Sequence, residues 1–273
     1  LSMWASTLVL LFYIAKIIIH PSAVKAEYSN TVPASLYAGI TMVTMILCSY
    51  YKVWFPTACK WIFITAVCVH AVHILIFLCR NVFKGVNLDT FVPSWFVTFN
   101  GIMVSLVAGP DMLPSAMAKA VLYWGLFIYT VTIPFMVWRL ITREVKPGML
   151  HTQAIVLAPC SLCLVSYLNI VKEPVRAVVM ILYVCVILSL LFILVKLPRF
   201  FSVPFAPGFA GLTFPMAIGV VASTKAGSYL AGIGNEVLAY GVKQVAGIQI
   251  YVTTAIIGMV LFGFMKMLAG KKA

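Results

Sequence analysis

The stretch 174-PVRAVVMILYVCVILSLLFILVK-196 decides the fold, because residues 177–195 within it carry no charged side chain. A helix needs about 20 apolar residues to cross the hydrocarbon core of a bilayer. Arg176 and Lys196 flank the run, at the positions where the headgroups of the two leaflets would lie. We therefore interpret this stretch as a membrane-spanning helix.

The rest of the chain repeats this pattern. Its 273 residues are 63% hydrophobic and only 9% charged, with a mean hydropathy of +1.09, whereas soluble domains carry roughly a quarter charged residues. The short alternating segments of a membrane barrel are missing. We predict an all-α membrane protein with one domain, 1–273, whose short connections form helical hairpins. The nine predicted spans are 1–19, 33–51, 57–79, 94–110, 116–138, 149–169, 174–196, 205–224 and 240–267.

Lysine and arginine are unevenly divided between the two ends of these spans. One side carries 12 of the 19 basic residues, namely Lys16, Lys25, Arg80, Lys84, Arg139, Arg143, Lys146, Lys196, Arg199, Lys266, Lys271 and Lys272. Cytoplasmic loops carry the excess of such residues. We expect a multi-pass protein of the plasma or inner membrane with a cytoplasmic C-terminus. Residue 1 then lies outside, and one further helix upstream would give ten.

The acidic residues argue against cation transport. All six fall in predicted loops or at helix ends, namely Glu27, Asp89, Asp111, Glu144, Glu173 and Glu236. Carboxylates inside the membrane mark cation sites and proton relays, so carriers of that type are disfavoured. The net charge is +13, and basic residues at both mouths of a pore would attract anions. Anion passage is the better prediction.

Histidine and cysteine do not form a convincing catalytic or metal site. His70 and His73 lie three residues apart on one helical face, but no carboxylate completes a ligand set, and membrane histidines usually bond to a neighbouring helix. Cys160 and Cys163 form a CxxC pair directly after Pro159, in an apolar helix where packing is the expected role. We predict no cofactor, no metal and no enzymatic activity.

Proline separates the spans into two sets. Pro33 and Pro93 lie near the starts of two spans, Pro159 lies in the middle of another, and Pro215 lies inside the eighth. Interior prolines free a carbonyl group and are best tolerated where a membrane helix faces protein or a water-filled cavity. Alternate spans thus resemble an inner, kinked ring and an outer, straighter ring, although simple packing kinks remain the alternative.

The eighth span, 207-PGFAGLTFPMAIGVVASTKA-226, contains a candidate gate. Pro215 disfavours helical geometry at Phe214, and an aromatic ring at such a break can project into a lumen and occlude it, as hydrophobic constrictions do. The alternative is an ordinary core phenylalanine, one of 18 in the chain.

Two segments resemble the TehA-type tellurite-resistance and C4-dicarboxylate transporter family, which is related to the slow-type anion channels of plant guard cells. The segment 155-IVLAPCSLCLVSYL-168 is similar to the central helix of that family, and 212-LTFPMAIGVVAS-223 to its aromatic-bearing helix near the C-terminus. Weaker likenesses are 25-KAEYSNTVP-33 and 93-PSWFVTFNG-101. Their order and spacing match over nearly the whole chain.

The resemblance implies ten helices in five hairpins, in a quasi-fivefold arrangement with alternate helices around a central pore. It also implies a homotrimer with one pore per subunit and a phenylalanine plug, which corresponds to Phe214. The chain would begin at the second family helix, so part of the pore wall would be missing.

We therefore predict an anion channel with Phe214 as its gate and with Pro159 and Pro215 shaping its lumen. The predicted partners are small anions, membrane lipid and two further copies of the chain, and no nucleic acid. One alternative is a coupled transporter of C4-dicarboxylates, sulfite or tellurite-type oxyanions. Another is an intramembrane enzyme or structural subunit that uses the histidines or cysteines. The candidate pore-lining residues are Thr41, Thr44, Thr98, Asn100, Ser105, Thr152 and Thr213.

Overall fold

The structure is a computed structural model that describes residues 2–270, and over that range every regular element is a helix. Eight helical stretches in it are long and apolar enough to cross a membrane, which confirms the prediction of an all-α membrane protein. Lys271 and Lys272, which contribute to the charge count, lie outside the described residues. The eight stretches are Ser2–Ile19, Thr31–Tyr51, Pro56–Asn81, Ser115–Thr142, Pro147–Ile170, Arg176–Phe200, Pro207–Gly232 and Glu236–Leu268.

The chain divides into two compact units, Leu1–Arg139 and Leu140–Ala273, and the prediction of one domain over 1–273 stays a prediction. The α-helices of the first unit are α1 (Ser2–Ile19), α2 (Pro21–Ser29), α3 (Thr31–Leu36), α4 (Ala38–Tyr51), α5 (Pro56–Asn81), α6 (Trp95–Phe99), α7 (Val104–Ala108) and α8 (Ser115–Thr142), which ends just beyond the boundary. Those of the second unit are α9 (Leu157–Ile170), α10 (Arg176–Phe200), α11 (Thr213–Gly232) and α12 (Glu236–Leu268).

An aromatic cluster forms part of the core of the first unit. The Trp95 ring meets Phe77 edge-on at 5.1 Å and Phe91 at 4.8 Å between centroids. Phe99 completes the cluster at 5.7 Å from Phe77. Edge-to-face contacts of this kind are favourable beyond the area they bury, so they fasten α6 to α5.

The second unit is organised around α9, in which residues 157–167 are all buried. Helix α11 packs against α9 through Gly219, whose hydrogen faces Leu157, and against α12 through Gly227, which lies beside Lys243. The Thr253 hydroxyl of α12 also lies 3.4 Å from the Met216 carbonyl. Small residues allow close helix approach in membranes, and here they place α11 between its two neighbours.

Interrupted and continuous spans alternate in both units. The continuous ones are α1, of 18 residues, and α5, α8, α10 and α12, each of at least 25 residues. The predicted span 94–110 is instead divided into α6, a 3₁₀ turn at Gly101–Met103 and α7, so it is too short in any one piece to count among the eight. Asn100 and Gly101, two poor helix formers, occupy the division.

Pro159 and Pro215 occupy the same position in their helices. Each is the third residue of an α-helix that follows a 3₁₀ segment, Pro147–Val156 before α9 and Pro207–Leu212 before α11. The expectation that Pro215 moves Phe214 out of helical geometry is wrong, since Phe214 is the second residue of α11. The missing N–H of a proline is tolerated in the first helical turn, where N–H groups have no partner in the helix.

Candidate functional site

Four spans are interrupted inside the stretch that would cross the bilayer, by a single turn residue or by a change between 3₁₀ and α-helix. In the first unit the changes fall at Tyr37, between α3 and α4, and at Asn100. In the second unit they fall at the two 3₁₀-to-α junctions that precede Pro159 and Pro215. Irregular backbone at membrane depth is tolerated only where protein or water satisfies its polar groups. Each of these changes therefore marks a place within its own unit at which a functional site can be sought.

At the interruption at Asn100, backbone carbonyl groups receive hydrogen bonds from side chains of two continuous helices of the first unit, α5 and α8. His70 Nε2, on α5, donates to the Thr98 carbonyl at 2.9 Å. Trp124 Nε1, on α8, donates to the Phe99 carbonyl at 3.0 Å, and the Asn100 amide donates to the Gly125 carbonyl at 2.9 Å. Two carbonyl groups near the break thus have donors from outside their own span, so the broken span is fixed by tertiary contacts.

His70 and His73 belong to one hydrogen-bonded cluster. Because His70 Nε2 must donate to a carbonyl, its Nδ1 is an acceptor. It lies 2.7 Å from the Thr41 hydroxyl and shares the hydroxyl hydrogen with the Ala38 carbonyl, which lies at 2.8 Å. His73 Nδ1 lies 2.7 Å from the Tyr28 hydroxyl, and its Nε2 lies 3.3 Å from the Thr98 hydroxyl. Both nitrogens of both rings are therefore engaged. No group of three or more potential metal ligands occurs among residues 2–270, and the histidines join neighbouring helices as expected.

The candidate pore-lining residues fall into two classes. Thr98, Asn100 and Ser105 are fully buried, whereas Thr41, Thr44, Thr152 and Thr213 are half-buried. Thr41 and Thr98 come together through His70. The hydroxyls of five candidates are hydrogen-bonded to carbonyls three or four residues earlier in their own span, namely Thr41, Thr44, Ser105, Thr152 and Thr213. An anion accepts hydrogen bonds, so it would receive these hydrogens only after the hydroxyls rotate.

Phe214 lies at the start of α11, just after the junction between the 3₁₀ segment Pro207–Leu212 and the α-helix. The ring is half-buried, while Leu212 before it and Pro215 after it are buried. Thr213 donates to the Ala210 carbonyl at 2.8 Å and so ties the α-helix to the preceding 3₁₀ segment. The backbone position of Phe214 is therefore set by its immediate neighbours.

The two 3₁₀ segments of the second unit pack against each other around His151. The Phe209 ring lies 3.9 Å from the His151 ring between centroids, and a Cβ on Gly211 would lie 3.4 Å from the His151 carbonyl oxygen. The His151 Nε2 donates to the Phe200 carbonyl at 3.0 Å. Pro147–Val156 is ten residues long, although 3₁₀ runs rarely exceed four residues and often mark hinges.

His151, Trp124 and Tyr28 were not among the site residues predicted from the sequence. An ionisable residue within a predicted span is a functional or structural candidate by default, and this signal could have identified His151. No local pattern could have identified Trp124, because its role depends on Phe99, 25 residues earlier in the chain. Cys160 and Cys163 are both buried, which agrees with the packing role expected for them.

The acidic residues lie outside the spans or at the first residue of α12. Glu27 accepts from Lys16 at 2.7 Å and from Tyr37 at 2.8 Å, and these bonds lower the pKa of Glu27. A hydrogen bond from Lys52, at 2.7 Å, likewise lowers the pKa of Asp111. Both carboxylates are thus charged and paired at neutral pH, and neither places negative charge inside a span.

Comparison with known families gives one full-length match. The family model SLAC1, described as voltage-dependent anion channel, matches residues 1–268. The comparison with curated proteins finds no similar sequence.

Proposed function

The chain belongs to the SLAC1 family of voltage-dependent anion channels, and we propose that it conducts small inorganic or organic anions through a pore within each subunit, closed by Phe214. The family membership makes the protein an anion channel or transporter of the membrane. The more specific proposal draws on the half-buried Phe214 ring at the 3₁₀-to-α junction of the eighth predicted span. Because the backbone at this junction is held in place by its neighbours, the ring can block a narrow passage.

In each unit, the interrupted spans are the proposed location of the pore-lining residues. They carry the seven candidate polar residues, Pro159 and Pro215, and their mean hydropathy in the stretches 31–51, 147–170 and 207–232 is below that of every continuous span from α5 onward. Threonine and serine hydroxyls that already donate to their own helix would hold an anion weakly, and weak binding is what conduction requires. We further propose a homotrimer with cytoplasmic C-termini in the plasma or inner membrane.

The test is anion current through the purified protein in planar bilayers, with chloride, nitrate and malate compared. We expect Phe214→Ala to raise the current by at least about tenfold, which corresponds to removing about 1.4 kcal/mol from the barrier. Phe135→Ala is the matched control, because Phe135 is an exposed phenylalanine on the continuous helix α8. Equal currents in wild type and Phe214→Ala, with both proteins folded and assembled, would contradict the gate.

Coupled transport of C4-dicarboxylates, sulfite or tellurite-type oxyanions is the second candidate function. The observation in its favour is the pair His70 and His73 within α5, since titratable residues inside the membrane mark proton relays. This alternative predicts substrate-driven uptake into liposomes that moves protons and no current in either protein. In that outcome Phe214 would have a packing role only.

A further inference from the structure

A cavity of about 310 Å³ lies in the first unit behind the interrupted span 95–108. Its walls are α5, through Ala71 and Leu75, and the first three turns of α8, through Ala120 and Trp124. Ile102, in the 3₁₀ turn of the broken span, also lines it. The cavity therefore lies directly against the interruption that His70 and Trp124 hold in place.

The side chains that line the cavity are suited to binding a hydrocarbon chain. Every lining side chain is aliphatic, a methionine or Trp124, and the only strongly polar side-chain atom among them, Trp124 Nε1, already donates to the Phe99 carbonyl at 3.0 Å. A polar occupant would lose its hydration without gaining a hydrogen bond from these side chains. An apolar chain has no hydrogen bonds to lose, and it fills the cavity through van der Waals contacts with the lining.

The cavity opens towards the surface that lipid would cover. Leu75 is 61% exposed, and its neighbours Val72 and Ile76 on α5 are also exposed, as is Tyr123 on α8. Both helices are long and apolar enough to cross the bilayer. A lipid chain lying against these helices could therefore enter the cavity from the side.

One cation lies at the headgroup end of the cavity. Lys60 on α5 is exposed, and it precedes Val67 and Ala71 by seven and eleven residues, a spacing that keeps all three on one face of the helix. Long lysine side chains reach from this depth to the headgroup layer. The cavity thus combines an apolar wall with a basic entrance, which matches an anionic phospholipid.

We propose that this cavity binds one acyl chain of an anionic phospholipid, with Lys60 at its headgroup. The bound chain contacts Ile102 and Trp124 and so supports the interruption of the span 95–108. This inference does not depend on the identity of the transported anion or on Phe214, and it is tested by binding alone.

The experiment uses the full chain in nanodiscs containing phospholipid with brominated acyl chains, which quench tryptophan fluorescence on contact. The Trp124 signal is the difference between wild type and Trp124→Phe. We expect strong quenching of this signal by brominated phosphatidylglycerol. Ala120→Leu should remove the quenching by filling the cavity, and Ala116→Leu, one turn earlier on α8 at an exposed position outside the lining, should leave it unchanged.

The headgroup is tested by competition between brominated phosphatidylglycerol and unbrominated phosphatidylcholine. Lys60→Gln should lower the preference for the anionic lipid about fivefold. Native mass spectrometry, counting the phosphatidylglycerol retained by wild type and by Ala120→Leu, gives the same comparison without Trp124→Phe. The absence of Trp124 quenching would overturn the proposal and would leave a second copy of the chain as the cover. Equal loss in Ala116→Leu, or no preference between the two headgroups, would overturn it as well.

Discussion

The spans 95–108 and 207–232 are both interrupted, but different contacts hold the two interruptions in place. In the first, donors from two other helices, His70 and Trp124, bind carbonyl groups beside the break. In the second, a 3₁₀ segment that begins at Pro207 runs into an α-helix with Pro215 in its first turn, and the bonds at the junction are local. The first break therefore depends on tertiary contacts, whereas the second is largely encoded by its own residues.

This difference determines how each break should respond to substitution. A buried carbonyl that loses its donor keeps the full penalty of desolvation. A proline in the first helical turn occupies a position where an N–H group would have no helical partner. Changes at the contacts of the first break should therefore be far more damaging than changes at the proline of the second.

The largest effect is expected for His70→Ala. The variant removes the donor to the Thr98 carbonyl and leaves a void at a fully buried site, so we expect a loss of about 2–4 kcal/mol in the free energy of unfolding. Pro215→Ala should lose no more than about 1 kcal/mol, mainly through greater freedom of the unfolded chain. The measurement is unfolding in mixed detergent micelles, followed by circular dichroism.

His20→Ala is the control for this comparison, because His20 is exposed at the start of α2 and makes no side-chain cap. It should stay within about 0.5 kcal/mol of wild type. If Pro215→Ala proved as destabilising as His70→Ala, the distinction between a tertiary and a local break would be wrong.

A smaller effect is expected for Gly125→Ala. A Cβ at this position would overlap the Met103 side chain, including its Cγ atom, directly beside the first break. Overpacking of this kind lowers stability by about 1–3 kcal/mol. In the second unit, Gly219→Ala would meet only the end of the Leu157 side chain, at 2.9 Å, which can rotate away. Thermal unfolding of the two variants should therefore rank Gly125→Ala as the less stable.

Gly258→Ala serves as the reference for that pair. Its Cβ would meet nothing within 4 Å inside the continuous helix α12, so the change should stabilise by about 0.5–1 kcal/mol through helix propensity. A Gly125→Ala protein as stable as this reference would show that Met103 repacks freely and that the first break is not tightly held.

The smallest effect concerns the pair formed by Lys16 and Glu27, at the edge of the first unit. Hydrogen bonds from Lys16 and then Tyr37 lower the pKa of Glu27 in the folded protein. The pair therefore stabilises the fold at neutral pH, and the contribution disappears as the pH falls from the ordinary glutamate range through the lowered pKa. Glu27→Gln should remove this part of the acid dependence, measured as unfolding midpoint against pH between 7 and about 3.

The effect should be small because the pair is solvent-exposed and screened by salt. Lys52 and Asp111 form a comparable exposed pair, so Asp111→Asn should change the acid limb in the same direction. A Glu27→Gln protein with the pH profile of the wild type would show that the pair contributes nothing to stability.

The sequence alone predicted the eight long apolar stretches and the family resemblance of 155–168 and 212–223, and the family match agrees with the latter. It also indicated the break near Pro215, because proline and glycine act on their own backbone. It did not predict that Phe214 is helical, because the effect of Pro215 on the backbone of Phe214 depends on where the α-helix begins.

The sequence by itself determined that this protein crosses a membrane. Each apolar residue contributes separately to the favourable transfer from water into the bilayer, so the sum can be read from the composition and from the length of the apolar runs. Only the tertiary structure decided how the span 95–108 is broken, which side chains satisfy it and where the lipid-facing cavity lies. Those features depend on hydrogen bonds between residues such as His70 and Thr98, 28 positions apart, and a hydrogen bond forms only when its two groups meet within about 3 Å.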